Sequence, residues 1–125
     1  MTLNIRIKQT RPGIVTCSPT GTLNSDTAPL LDKEITRLLA EPIKTLVLDM
    51  AGVEFISSAG VGTVAKTKTA LNRQGADLAM INLRPQIKKV FEIIRLLPSF
   101  NVFESMQELD DYLEKIQKKV TEESE

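Results

Sequence analysis

The chain has 125 residues, 42% hydrophobic and 26% charged, with 16 basic and 16 acidic side chains and zero net charge. That is the make-up of one globular domain, without the excess of positive charge that would draw it to nucleic acid or a membrane surface. Histidine is absent, which excludes a Ser-His-Asp hydrolase and removes the commonest general base and metal ligand, so no catalytic or metal-binding residue is assigned.

The chain opens on Met1-Thr2-Leu3-Asn4, with neither a basic leader nor a long apolar segment behind it. No apolar run approaches the ~20 residues needed to cross a bilayer, so the expected location is cytoplasmic, without membrane insertion. Leu3, Ile5 and Ile7 alternate with Asn4, Arg6 and Lys8, the period of a half-buried strand. Arg11-Pro12-Gly13 is a turn, and Ile14–Ser18 returns as a second, antiparallel strand. Cys17 lies in it, alone, so no intrachain disulfide exists. Pro19 leads out of the strand, and Asn24-Ser25-Asp26-Thr27 is a cluster of helix-capping residues. Pro29 suits the first turn of the helix that follows, and Leu30, Leu31, Ile35, Leu38 and Leu39 are assigned to its inner face.

Glu41-Pro42 ends this helix. Thr45–Met50 reads as a central strand covered on both faces, followed by a short polar loop. A second helix spans Ser58–Gln74 and stops at Gly75. Asp77–Leu83 is a further strand, and Pro85 opens a third helix that Pro98 closes. Val102-Phe103 is a candidate edge strand. Helix four, Met106–Val120, turns Met106, Leu109, Leu113 and Ile116 inward. Strands alternating with helices after an opening hairpin predict an α/β fold. The expected architecture is one domain over 1–120, with a mostly parallel sheet of four to five strands, an N-terminal β-hairpin and about four helices; 121–125 is a polar tail.

The chemistry concentrates in Leu46–Val64, where Ser57-Ser58-Ala59-Gly60-Val61-Gly62 opens the second helix. A helix start carries unpaired N–H groups and partial positive charge, both of which favour a phosphate. Functional sites of open α/β sheets gather at the carboxyl ends of strands, where Ser58 is expected to follow Thr45–Met50. The loop from Gly21 should lie beside it. Ala59, Gly60 and Gly62 leave room for another protein to approach. Equally, the serines are simple caps and the glycines only allow close helix–sheet packing. Asp49 is read as a structural residue accepting hydrogen bonds from the following loop, and Phe55 and Ile56 as core. Thr63, Lys66, Thr67 and Ala70 mark the helix face offered to a partner.

Leu48-Asp49-Met50, Val53, Phe55-Ile56 and Ser57-Ser58-Ala59-Gly60-Val61-Gly62 together resemble the STAS domain of anti-sigma factor antagonists. Gly21-Thr22-Leu23-Asn24 with Thr27-Ala28, and Pro85-Gln86-Ile87-Lys88-Lys89-Val90-Phe91, extend the resemblance over nearly the whole chain. The resemblance implies a phosphorylation-switched protein-binding module and no enzyme. Its unphosphorylated form sequesters an anti-sigma factor that doubles as a serine kinase, and so regulates transcription. That kinase phosphorylates the serine aligned with Ser58, with Ser57 second in rank, and a serine phosphatase resets it. ATP, magnesium and the catalytic base belong to the kinase, so no cofactor is implied for this chain. Asn24, Asp26, Ser57, Ala59, Gly60, Gly62, Thr63 and Lys66 are the implied partner-binding positions. The chain departs from the family at Ser57 and Asn24, where an acid is frequent, and at Ala59, where a hydroxyl residue is. Loss of the two acids lessens repulsion of an incoming phosphate. The alternatives are a STAS scaffold or soluble subunit of a transport or signalling complex that is never phosphorylated, and an enzyme or cofactor carrier, such as a flavin protein using the loop at Ser57–Gly62 for phosphate. Tyr112 as the single tyrosine, with no tryptophan, speaks against the carrier.

Overall fold

A computed structural model describes residues 3–96 and 106–123. The order of elements is β1 (Leu3–Arg11), β2 (Ile14–Leu23), α1 (Ala28–Leu39), β3 (Thr45–Asp49), β4 (Gly52–Ile56), α2 (Ser58–Arg73), β5 (Asp77–Ile81), α3 (Pro85–Leu96) and α4 (Met106–Glu123). The five strands form one sheet in the order β1-β2-β3-β5, with β4 also paired to β2. The α/β class, the opening hairpin, the parallel remainder and the four helices are as the sequence predicts. Val102-Phe103 falls outside the described residues.

The hairpin turns at Gly13, whose φ of 81° is left-handed backbone that glycine adopts without strain. β2 runs on through Pro19 to Leu23, five residues beyond its predicted end. The reason lies in its two parallel partners. Residues Ile14–Cys17 pair with β3, and Thr20–Leu23 pair with β4. Pro19, which has no N–H to give, falls in the gap between the two ladders.

β4 occupies what the sequence presents as a loop. Its Gly52-Val53-Glu54-Phe55-Ile56 follows β3 after a brief break, closed by the Val53 N–H donating to the Met50 carbonyl at 3.0 Å. The two strands thus prolong each other along β2. Burial in β3 alternates: Leu46 and Leu48 are buried, whereas Thr45, Val47 and Asp49 on the other face are half-buried. The strand is therefore covered on one face more than the other, against the two-sided cover expected of a near-continuous apolar run.

In α1 the buried stripe is Ala28, Leu31, Ile35 and Leu38. Leu30 departs from expectation and is 47% exposed, because it stands about 100° around the helix from Leu31. Helix α2 ends as predicted: the Ala76 N–H donates to the Leu71 carbonyl and Gly75, at φ 73°, donates to Asn72. This is a Schellman cap. The last helix runs to Glu123, through part of the predicted tail. It packs against α3 and α2, with Leu113 and Gln117 buried and Ile116 half-buried. The side chains of Met106 and Leu109 fall outside the description.

Candidate functional site at the start of α2

The start of α2 is built by three segments. β4, not β3, delivers the chain to it. The end of β2 lies alongside, since the Ser57 N–H donates to the Leu23 carbonyl at 2.9 Å. The third segment is α4, which sequence reasoning does not bring here. The Ser58 N–H donates to Asp110 Oδ1 at 2.9 Å. About two turns further along the same face of α4, the Ile56 N–H donates to Gln117 Oε1 at 2.9 Å, and Gln117 Nε2 donates to the Ile56 carbonyl at 2.7 Å.

Ser57 takes the N-cap position with extended backbone, φ −100° and ψ 178°, yet its side chain makes no capping bond. Its Oγ is buried without a hydrogen-bond partner among the described residues. Ser58, the first helical residue, is 7% exposed. No acid lies in the first turn of α2, so Asp110 supplies from another helix the negative charge that a helix start favours.

The loop after β2 adjoins this point, as the sequence predicts for the segment from Gly21. Asn24 is committed to its own turn: Oδ1 accepts from the N–H groups of Asp26 at 2.9 Å and Thr27 at 3.1 Å. The Thr27 hydroxyl donates to the Thr22 carbonyl at 2.6 Å. Asp26 is exposed. Between α1 and α2 runs an open groove of about 340 Å³, lined by Pro29, Asp32, Ala59, Gly62, Thr63 and Lys66. Lys66 and Asp32 form an ion pair across it at 3.3 Å.

Four of the expected partner-binding residues, Ala59, Gly62, Thr63 and Lys66, therefore share one groove. Gly60 turns inward: a Cβ there would stand 2.7 Å from Ile56 Cγ1 and 2.9 Å from both Leu23 Cγ and the Leu23 carbonyl oxygen. Thr67 also faces inward, donating its hydroxyl to the Thr63 carbonyl at 2.7 Å. Asp49 has the structural role assigned to it, accepting from the Ala51 N–H and from Asn82 Nδ2. Asp110 and Gln117 are the site residues sequence reasoning misses. Their trace in the sequence is two polar residues sharing a helical stripe with buried Leu113, at spacings of three and four. Among the described residues no group of three His, Cys, Asp or Glu side chains is placed to hold a metal ion, and no helix is long and apolar enough to cross a membrane.

Comparison with known proteins follows the same outline. Residues 6–109 match the STAS domain family. BtrV of Bordetella bronchiseptica, which is named for an anti-sigma factor antagonist role, is 31% identical over 87 residues, covering 70% of this chain and 75% of BtrV. Among solved structures, unphosphorylated SpoIIAA superposes with a TM-score of 0.62 at 19% identity, over 72% of this chain and 83% of SpoIIAA. The phosphorylated form of SpoIIAA, a Bacillus cell fate determinant, superposes equally well, with a TM-score of 0.62. An anti-sigma factor antagonist from Mycobacterium paratuberculosis gives 0.61 at 22% identity, over 92% of this chain and 94% of that one. With the family match spanning 6–109 of 125 residues, the chain belongs to the STAS domain family.

Proposed function

We propose that this protein is an anti-sigma factor antagonist whose affinity for its partner is set by phosphorylation of Ser58. The observation that carries the reading is the position of Ser58: the first residue of α2, beside the α1–α2 groove, within the STAS-matched region. Two further points support it: the name of the relative BtrV, and the existence of SpoIIAA in unphosphorylated and phosphorylated forms. The partner is an anti-sigma factor with serine kinase activity, bound through the groove and the Asn24–Asp26 loop. Unphosphorylated protein sequesters that partner and frees the sigma factor. In the transfer, the Ser58 Oγ–phosphorus bond forms and the β–γ phosphoanhydride bond of ATP breaks. ADP leaves, and the serine proton passes to a base of the kinase. The phosphate brings about −1.5 to −2 charge to a contact built without it, which dissociates the complex until a phosphatase removes the group. The cell interior, where ATP and sigma factor are, is the corresponding location.

Incubation with the cognate kinase and ATP should add one phosphate, read by intact mass, and the Ser58→Ala variant should add none. Equal modification of that variant would move the site elsewhere, to Ser57 first. The 7% exposure of Ser58 favours one other reading, a STAS scaffold or complex subunit that is never phosphorylated. Affinity capture from the native cell separates the two: a kinase and sigma regulator for the switch, a transport or other signalling assembly for the scaffold.

A further inference from the structure

Ser58 sits in the right place for a phosphorylated residue but is enclosed. Phosphoryl transfer needs the attacking oxygen within about 3–3.5 Å of the phosphorus in an aligned approach. A side chain on a residue only 7% exposed does not offer that to a second protein. The element that reaches Ser58 from outside α2 and the sheet is α4. Asp110 holds the Ser58 N–H, Gln117 holds both backbone groups of Ile56, and Leu113 between them is buried.

We propose that α4 is a displaceable cover: docked, it shields Ser58 and fills the α2 start with the Asp110 carboxylate; undocked, it admits the kinase, after which the phosphate takes the carboxylate's place and keeps α4 away. This inference rests on the reading of Ser58 as the phosphorylated residue and adds its regulation.

Three features argue for displacement over permanent burial. First, Asp110 and a phosphate on Ser58 seek the same thing, the unpaired N–H groups and positive end of α2. Both are anionic, so they exclude each other. Second, the docked arrangement leaves the Ser57 Oγ buried and without a partner among the described residues, which is unfavourable. Ser57 already has the extended backbone of an N-cap, so a rearrangement of the α2 start lets its hydroxyl cap the helix or meet water. That gain offsets part of the loss of the Asp110 contact. Third, the contacts that α4 makes with the α2 start and the end of β4 through Asp110 and Gln117 are polar, and water replaces them when the helix lifts and draws Leu113 from the core. By linkage, whatever factor α4 docking takes from phosphorylation, phosphorylation takes from docking.

The test reads the cover without a kinase, then with one. In full-length protein carrying Cys17→Ala, a Ser58→Cys thiol should react slowly with a maleimide. Adding Asp110→Ala should speed labelling about tenfold, because a hydrogen bond to a charged group is worth on the order of one decade. Asp111→Ala, an exposed neighbour on α4, should leave the rate unchanged. Gln117→Glu, which sets a carboxylate against the Ile56 carbonyl, is the second loosening variant. Equal labelling across Asp110→Ala, Gln117→Glu and Asp111→Ala overturns the cover. With Ser58 and Cys17 restored, the cognate kinase should phosphorylate Asp110→Ala about tenfold faster than the parent, and equal rates overturn it as well. Accelerated labelling without phosphate on Ser58 in either protein would instead establish the cover and refute Ser58 as the phosphorylation site.

Discussion

Gly60 and Gly62 stand two residues apart on α2 and answer to different forces. Gly60 is where the helix presses on β2 and β4, and a methyl group there would meet a backbone oxygen as well as two buried side chains. Backbone yields little, so Gly60→Ala should lower stability by about 1–3 kcal/mol, the usual cost of overpacking. Gly62 has nothing within 4 Å of its hypothetical Cβ, and its φ is not among the positive values. Folding therefore gives no reason for glycine at 62, and Gly62→Ala should raise stability by up to about 1 kcal/mol through helix propensity. It lies in the α1–α2 groove, so the same methyl should weaken partner binding. Urea unfolding of both variants, with a titration against the proposed anti-sigma factor partner, checks the pair. A destabilised Gly62→Ala would mean that its glycine serves the fold after all.

Among the elements, β4 and α4 show what was legible and what was not. Hydrophobic period and capping residues mark the hairpin, α1, α2 with its Gly75 stop, and the start of α3. They fail at β4, because a short strand prolonging β3 carries no turn signature of its own, and its hydrogen-bonding partner lies thirty-odd positions away on β2. The serines and four groove residues were legible as a local motif. The contact from α4 was not, since Ile56 and Gln117 are 61 positions apart and no local rule pairs them. Gln117 gives Ile56 both the acceptor and the donor that a neighbouring strand would supply, and also bonds the Leu113 carbonyl. Gln117→Leu keeps the volume and strands two buried backbone groups, at roughly 1–3 kcal/mol each when unsatisfied. We expect a loss of about 2–4 kcal/mol, or local undocking of α4, with faster hydrogen exchange at the Ile56 amide in either case. Unchanged protection of that amide would show that Gln117 is not what holds it.

At the scale of the whole molecule, the strands and α1 converge on one buried cluster that includes Cys17. Cys17 is paired across β1 with Ile7 and across β3 with Leu48. Burial first, and the negative charge of Glu34 second, push its thiol from 9.0 up to about 12. The thiol is neutral when protonated, so the folded chain holds its proton through a range in which the unfolded chain has lost it. Between about 9 and about 12 the unfolded state binds fewer protons, and unfolding becomes easier as pH rises. Below 9 the contribution is fully present. The native fold should also keep Cys17 unreactive toward thiol reagents at neutral pH, since the thiolate is the nucleophile. Cys17→Ala removes this titration while leaving the lysines and Tyr112 in place, so it isolates one group from general alkaline unfolding. It should be less stable than the parent below pH 9, through the lost sulfur packing, and the gap between their urea midpoints should narrow as pH climbs beyond it. A gap that stays constant across that range would mean that the thiolate is accommodated inside the fold, against the apolar core that surrounds it.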